Sequence, residues 1–207
     1  MAGIPGYPRV DDPDSRDRFL RRALAAGGTV LVGGALAAAL PRLASSAQSP
    51  AQDAEIFNFA LLLEQVQAAF YDEAASQAAL PAELLDFAKV AAGHEREHVG
   101  YLTEALGMAA QEAPATDFGD ATTDADAFAA AAASLEDLAV GAYNGQAANL
   151  TEAGLKAAAT VVSVDARHAA WVRAIAGRPP ASQAVDAPLS RAEAEQQLDE
   201  LGFIQEA

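Results

Sequence analysis

Apolar residues that recur every three or four positions, segment after segment, constrain this chain most. Ile56, Phe59, Leu63, Val66, Phe70 and Ala74 form one such stripe, which predicts a helix over residues 53–77. Leu84, Leu85, Ala88, Ala91, Val99, Leu102 and Leu106 form a second, behind Pro81, a residue suited to a first helical turn. A third helix is expected from Asp124 to about Ala147. A fourth is expected from Thr151 to Ala176, ending at Gly177 before Pro179-Pro180. Ser190-Arg191-Ala192-Glu193 reads as a capping box that opens a short last helix through Leu201. Between the second and third helices, residues 109–123 break the period and form a long connection, whereas the other two joints are short turns. The expected architecture is all-α: two antiparallel helix pairs joined by one long crossover, with a short C-terminal helix.

Composition supports helices and excludes several chemistries. Hydrophobic residues make up 52% of the 207-residue chain while aromatics make up 6%, so alanine supplies much of the apolar content. Alanine loses no side-chain entropy in a helix. Strand-like runs occur only at residues 29–32 and 160–164. The chain has no cysteine, which excludes disulfides, thiolate-bound zinc or iron–sulfur clusters, a cysteine nucleophile and a lipobox anchor. Its net charge of −16 argues against nucleic acid as a partner.

The first 47 residues differ from the rest. Arg16, Arg18, Arg21 and Arg22 run into the uncharged, Gly- and Ala-rich stretch 23–40, followed by Leu43-Ala44-Ser45-Ser46-Ala47. A basic segment, a weakly apolar segment and a small-residue exit are the parts of an export signal, cleaved after Ala47. The expected domains are therefore a leader over 1–47 and a helical domain over 48–207. Ser15-Arg16-Asp17-Arg18-Phe19-Leu20-Arg21 resembles a twin-arginine leader, with Asp17 in the place of the second arginine. The expected location is outside the cytoplasm, periplasmic or extracellular. The alternative is an uncleaved anchor formed by residues 23–40.

The candidate site residues repeat in order. Glu64 is followed seven residues later by Tyr71, and Glu136 seven residues later by Tyr143. Glu95 and His98 lie three apart, as do Asp165 and His168. Residues at these spacings share a helix face, so each acid-x-x-His pair is placed to hold a metal ion. Glu64 and Glu136 sit in otherwise apolar stretches, and a carboxylate in a bundle core is costly without a cation or partner. Glu64, Glu95, His98, Glu136, Asp165 and His168 are the expected metal ligands. Tyr71 and Tyr143 are either core tyrosines with satisfied hydroxyls or groups acting beside the metal. Oxygen-rich ligation with one imidazole per ion favours Fe or Mn over Zn.

This duplicated constellation resembles the ferritin-like carboxylate-bridged di-metal proteins, in which two helices give a Glu and two give Glu-x-x-His. The runs Phe118-Gly119-Asp120-Ala121-Thr122, Leu135-Glu136-Asp137, Ala142-Tyr143-Asn144-Gly145 and Asp165-Ala166-Arg167-His168-Ala169-Ala170-Trp171 are similar to exported ferritin-like proteins that include the desiccation-related ones. Asp165 departs from the pattern, which has Glu there. The resemblance implies a ferritin-like four-helix bundle and two Fe or Mn ions per chain. It further implies chemistry with O₂ or peroxide, such as Fe(II) oxidation or peroxide consumption in stress protection, and possible association of copies. Two other readings stand beside it. One is a non-catalytic metal-binding or structural stress protein. The other takes His94-Glu95-Arg96-Glu97-His98 as an H-E-x-x-H zinc metalloprotease helix, with His94 and His98 as ligands.

Overall fold

A computed structural model describes residues 48–205. The expected leader over 1–47, with its export signal, and the anchor alternative over 23–40 lie outside these residues. Within them the helices are α1 (Pro50–Gln77), α2 (Ala82–Leu106), α3 (Ala125–Gln146), α4 (Glu152–Ile175) and α5 (Arg191–Leu201). All fall where the periodicity predicts, within three residues at each end. No helix among the described residues is long and apolar enough to cross a membrane.

Each start has a local cause. Ser49 caps α1 by accepting from Gln52 N at 3.2 Å, with Pro50 in the first turn. Asp124 caps α3 by accepting from Asp126 N and Ala127 N, and Thr151 caps α4 by accepting from Gly154 N. Such caps satisfy amides that have no partner inside the helix. The predicted capping box at Ser190 and Glu193 is formed in both directions. One cap also joins two helices: Asp53 of α1 accepts from Thr151 N at 2.9 Å and from its hydroxyl at 2.5 Å. Gly154 makes this approach feasible, since a Cβ there would lie 2.7 Å from the Asp53 carboxylate.

α1 packs along α2 and α3 along α4, as the short turns require, while the crossover carries the chain between the pairs. The core divides into apolar clusters at two levels. One gathers Phe70, Phe87 and Phe128, all fully buried, with Tyr71 and Phe118. Removing one such ring down to Ala would cost about 3–5 kcal/mol. A second gathers Ile56, Leu61, Leu102, Val161 and Tyr143. A third joins Phe59 and Leu63 of α1 to Leu138 and Ala142 of α3 under Ala194 and Leu198 of α5.

The crossover is more ordered than a sequence reading suggests. It begins and ends in 3₁₀ turns, Gly107–Ala109 and Gly119–Thr122. The residues after α5 pair with its middle: Asp117 N donates to Phe203 O, and Gln205 N donates to Ala115 O. Phe203 then packs against Phe70 and Phe118.

The segment leading into α5 lies directly on α3. Leu189 N donates to Gly141 O, and a Cβ on Gly145 would stand 1.7 Å from Leu189 O. Alanine is the better helix former by about 1 kcal/mol. Here the backbone of residue 189 would have to retreat, and such overpacking costs about 1–3 kcal/mol. Gly145→Ala is therefore expected to lower the melting temperature by several degrees. A melting curve equal to or above wild type would show that this strap is not fixed on the helix.

Candidate metal centre

The six residues singled out by spacing converge between the first two apolar clusters from four helices: Glu64 from α1, Glu95 and His98 from α2, Glu136 from α3, Asp165 and His168 from α4. All four carboxylates have no solvent exposure, and both histidines are buried. Helix phase explains the convergence, because each residue lies in the apolar stripe of its helix.

The tyrosines bond across the bundle rather than along their own helices. Tyr71 of α1 donates to Glu136 Oε1 on α3 at 2.6 Å, and Tyr143 of α3 donates to Glu64 Oε1 on α1 at 2.9 Å. The two bonds relate the halves of the site as a pseudo-twofold pair. They also explain the seven-residue spacing, since in antiparallel helices the partner of each Glu must sit two turns away on the opposite helix.

Glu95 stands between the histidines. Its Oε2 is 2.9 Å from His98 Nδ1, and its Oε1 is 2.9 Å from His168 Nδ1. His98 Nδ1 is also 3.2 Å from Glu64 Oε2 and 3.5 Å from Asp165 Oδ1, while His168 Nδ1 is 3.4 Å from Glu136 Oε1. The ligand-type atoms fall into two groups that could each hold an ion: Glu64, Glu95, His98 and Asp165, then Glu95, Glu136, Asp165 and His168. Glu95 and Asp165 belong to both. Asp165, despite its shorter side chain, thus occupies a position that faces both groups.

Burial and mutual charge dominate the electrostatics. Burial pushes the Glu64 carboxyl up to about 8 and the Glu136 carboxyl up to about 7, with the Glu95 charge adding to both. Asp165 is raised well above its usual range by burial and by the charges of Glu64, Glu136 and Glu95. Glu95 is the exception. Burial opposes its ionisation too, but His168 and His98 outweigh it and bring the group down to about 2. The histidines answer in kind: against burial, the carboxylates raise His98 to about 10 and His168 to about 9. Burial and the adjacent carboxylates raise both tyrosines well above 10, so their hydroxyls keep their protons.

The donor set suits a pair of divalent cations. Asp165 Oδ2 and Glu136 Oε2 are buried without a partner, while Glu95 Oε1 has only His168 Nδ1 beside it. Buried polar atoms left in this way carry a substantial cost. With neutral imidazoles, four carboxylates carry the charge that two divalent ions cancel.

His94 is the residue that spacing alone leaves undecided. It is exposed, yet its Nδ1 lies 2.9 Å from His168 Nε2, and the two rings stack. It therefore holds the outer nitrogen of His168 while Nδ1 faces the carboxylates, as partners of ligand histidines do. His94 lies in neither ligand group, so the pairing that a zinc-protease helix needs is not formed. A cavity of about 440 Å³ opens here between α2 and α4, lined by His94, Glu97, His98, Arg167, His168 and Trp171. Trp171 is half-exposed with its ring edge against Phe87, so it borders this mouth rather than filling the core.

Residues 52–178, well over half of the chain, match the family described as a ferritin-like domain. A search of curated proteins found no match.

Proposed function

Because the chain belongs to the ferritin-like domain family, we propose that its buried cluster holds two Fe or Mn ions and uses them to oxidise Fe(II) or to consume peroxide or O₂. Glu64, His98 and the shared Glu95 and Asp165 would hold one ion; Glu136, His168 and the same shared pair would hold the other. The observation that carries this reading is the convergence of four fully buried carboxylates and two histidines into two ligand groups, with an oxygen of Asp165, which lies in both, and one of Glu136 left without a partner. Two such ions, when bound, supply paired one-electron steps for exchange with an O–O species.

The chain's own residues do the rest. Tyr71 and Tyr143 fix the rotamers of Glu136 and Glu64 by donating to one oxygen of each, which leaves the second oxygen to face inward. His94 keeps the outer nitrogen of His168 occupied. The cavity beside it brings solvent-sized molecules as far as both histidines, an arrangement that a purely structural bundle does not need. The basic leader supports a site of action outside the cytoplasm, in protection against oxidative stress.

Elemental analysis of the full chain produced in its native host with added metal tests the proposal. Two Fe or Mn per chain are expected. A single tightly held zinc, or none of these metals, would overturn it. The intact mass of the same preparation reads the processing step: a start near Gln48 is expected, and a start at Met1 or Ala2 would rule out cleavage of the leader.

A further inference from the structure

Gln67 is fully buried, and both atoms of its amide, Oε1 and Nε2, lack a hydrogen-bond partner. Leu63, Val66 and Phe70 flank it along the buried arc of α1, and the two other polar groups on that arc, Glu64 and Tyr71, are bonded to α3. An amide left in such surroundings with neither atom satisfied is expensive. An apolar side chain would fill the position at no such cost.

Its place in the helix is informative. Gln67 follows Glu64 by three residues and precedes Tyr71 by four, so the three side chains share one face. The outer two meet α3 through the bonds Glu64–Tyr143 and Tyr71–Glu136. With α1 and α3 thereby antiparallel, the stretch of α3 opposite Gln67 is Ala139–Val140, between Glu136 and Tyr143. Ala139 is also the duplicate counterpart of Gln67, lying three residues after Glu136, and it too is fully buried. The pseudo-twofold relation that holds for Glu, Tyr and acid-x-x-His does not hold at this pair, amide against methyl. It breaks on the α1–α3 wall of the site, while the histidines come from α2 and α4.

We propose that Gln67 binds a small exogenous oxygen-type or anionic ligand admitted beside the two ions, on the face of α1 that it shares with Glu64. The amide is suited to that task because it presents a donor and an acceptor from one rigid group, so it can pair with a protonated or an unprotonated ligand atom. The inference rests on the two-metal reading above, but it assigns Gln67 no part in holding the ions.

Azide titration of the iron-loaded full chain, followed by absorbance, is the test, with Gln67→Leu as the variant and metal content measured on the same samples. Gln67→Leu is expected to retain the wild-type metal content and to bind azide about 10-fold more weakly or worse, the loss of one hydrogen bond to a charged group. Metal-free Gln67→Leu is expected to melt above the metal-free wild type, since no unpaired amide remains in it. Unchanged azide affinity at full metal content would overturn the proposal. So would a fall in metal content, which would make Gln67 part of the metal-holding set. A wild-type chain that takes up no iron or manganese would instead defeat the two-metal reading itself, and this role with it. Should Gln67→Leu not fold, Gln67→Met removes the amide with a more adaptable side chain and is read in the same way.

Discussion

Replacing Glu95 by alanine is expected to remove both metal ions, whereas Glu64→Gln and Glu136→Gln should each remove one. Glu95 belongs to both ligand groups, while Glu64 and Glu136 belong to one each. The stability of the loaded protein should follow the count. A site held at 100 times its Kd adds about 2.7 kcal/mol, or about 5–10 °C for a domain of this size. Wild type should therefore gain from metal about twice what the single-site variants gain, and Glu95→Ala should gain almost nothing.

The metal-free proteins should separate in the opposite sense. Glu95 is the carboxylate that favours its charge, held by His98 and His168, so its loss leaves two buried cations short of a partner and lowers the melting temperature. Glu136 resists its charge, so metal-free Glu136→Gln should melt no lower than wild type at pH 8. Exposed Glu195 provides the control: Glu195→Gln should change neither quantity. Metal analysis and paired melting curves with and without Mn(II) decide the matter. One ion retained by Glu95→Ala would show that Glu95 is not shared.

The second large effect is on pH dependence, and metal should reverse its sign. In the metal-free protein Glu64 and Glu136 have folded values of about 8 and 7, above the ordinary 4.5, so the folded state binds more protons than the unfolded one and stability falls as pH rises between these limits. His98 and His168, raised to about 10 and 9 from 6.5, contribute stability that is complete below 6.5 and lost as pH rises through 9 and 10. Both sets act in the same direction from pH 5 to pH 9. Glu95 opposes them only at acid pH, where its contribution disappears as pH falls through about 2. The metal-free protein should thus melt markedly higher at pH 5 than at pH 9.

Ions must displace the protons on both histidines and on the raised carboxyls, so metal uptake near pH 7 should release about four protons per chain, and metal affinity should climb with pH. Metal should therefore stabilise least at pH 5 and most at pH 9. Melting curves at these two values and proton release in weak buffer measure both halves. A metal-free melting temperature that rises from pH 5 to pH 9, or uptake without proton release, would contradict the buried cluster as described.

Much of this was legible in the sequence because it is local. The capping box at Ser190 is read directly, and Asp124 and Thr151 stand at expected helix starts with cap bonds two or three positions long. The cap at Ser49, by contrast, starts α1 three residues before the expected residue 53. The acid-x-x-His pairs and the seven-residue Glu–Tyr interval are likewise properties of single helices, and their repetition in two halves separates a site from chance acids. Gln67 carried a readable signal too, as a polar residue in an apolar arc one turn after Glu64. Nothing comparable marked the pairing of residues 115–117 with 203–205, which are joined only when α5 folds back over α3.

By itself, then, the sequence determined the helices, their ends, the long crossover and the six residues turned toward the core, since each follows from i, i+3 and i+4 geometry and local hydrogen bonding. Only the tertiary structure decided how those residues meet. It set Tyr71 on Glu136 and Tyr143 on Glu64, gave Glu95 and Asp165 to both halves, turned His94 outward onto His168 and left Gln67 facing α3 without a partner. These relations depend on the rotation and axial register of one helix against another. Those are chosen by the packing of whole faces such as Phe70, Phe87 and Phe128, which no spacing within a single helix encodes.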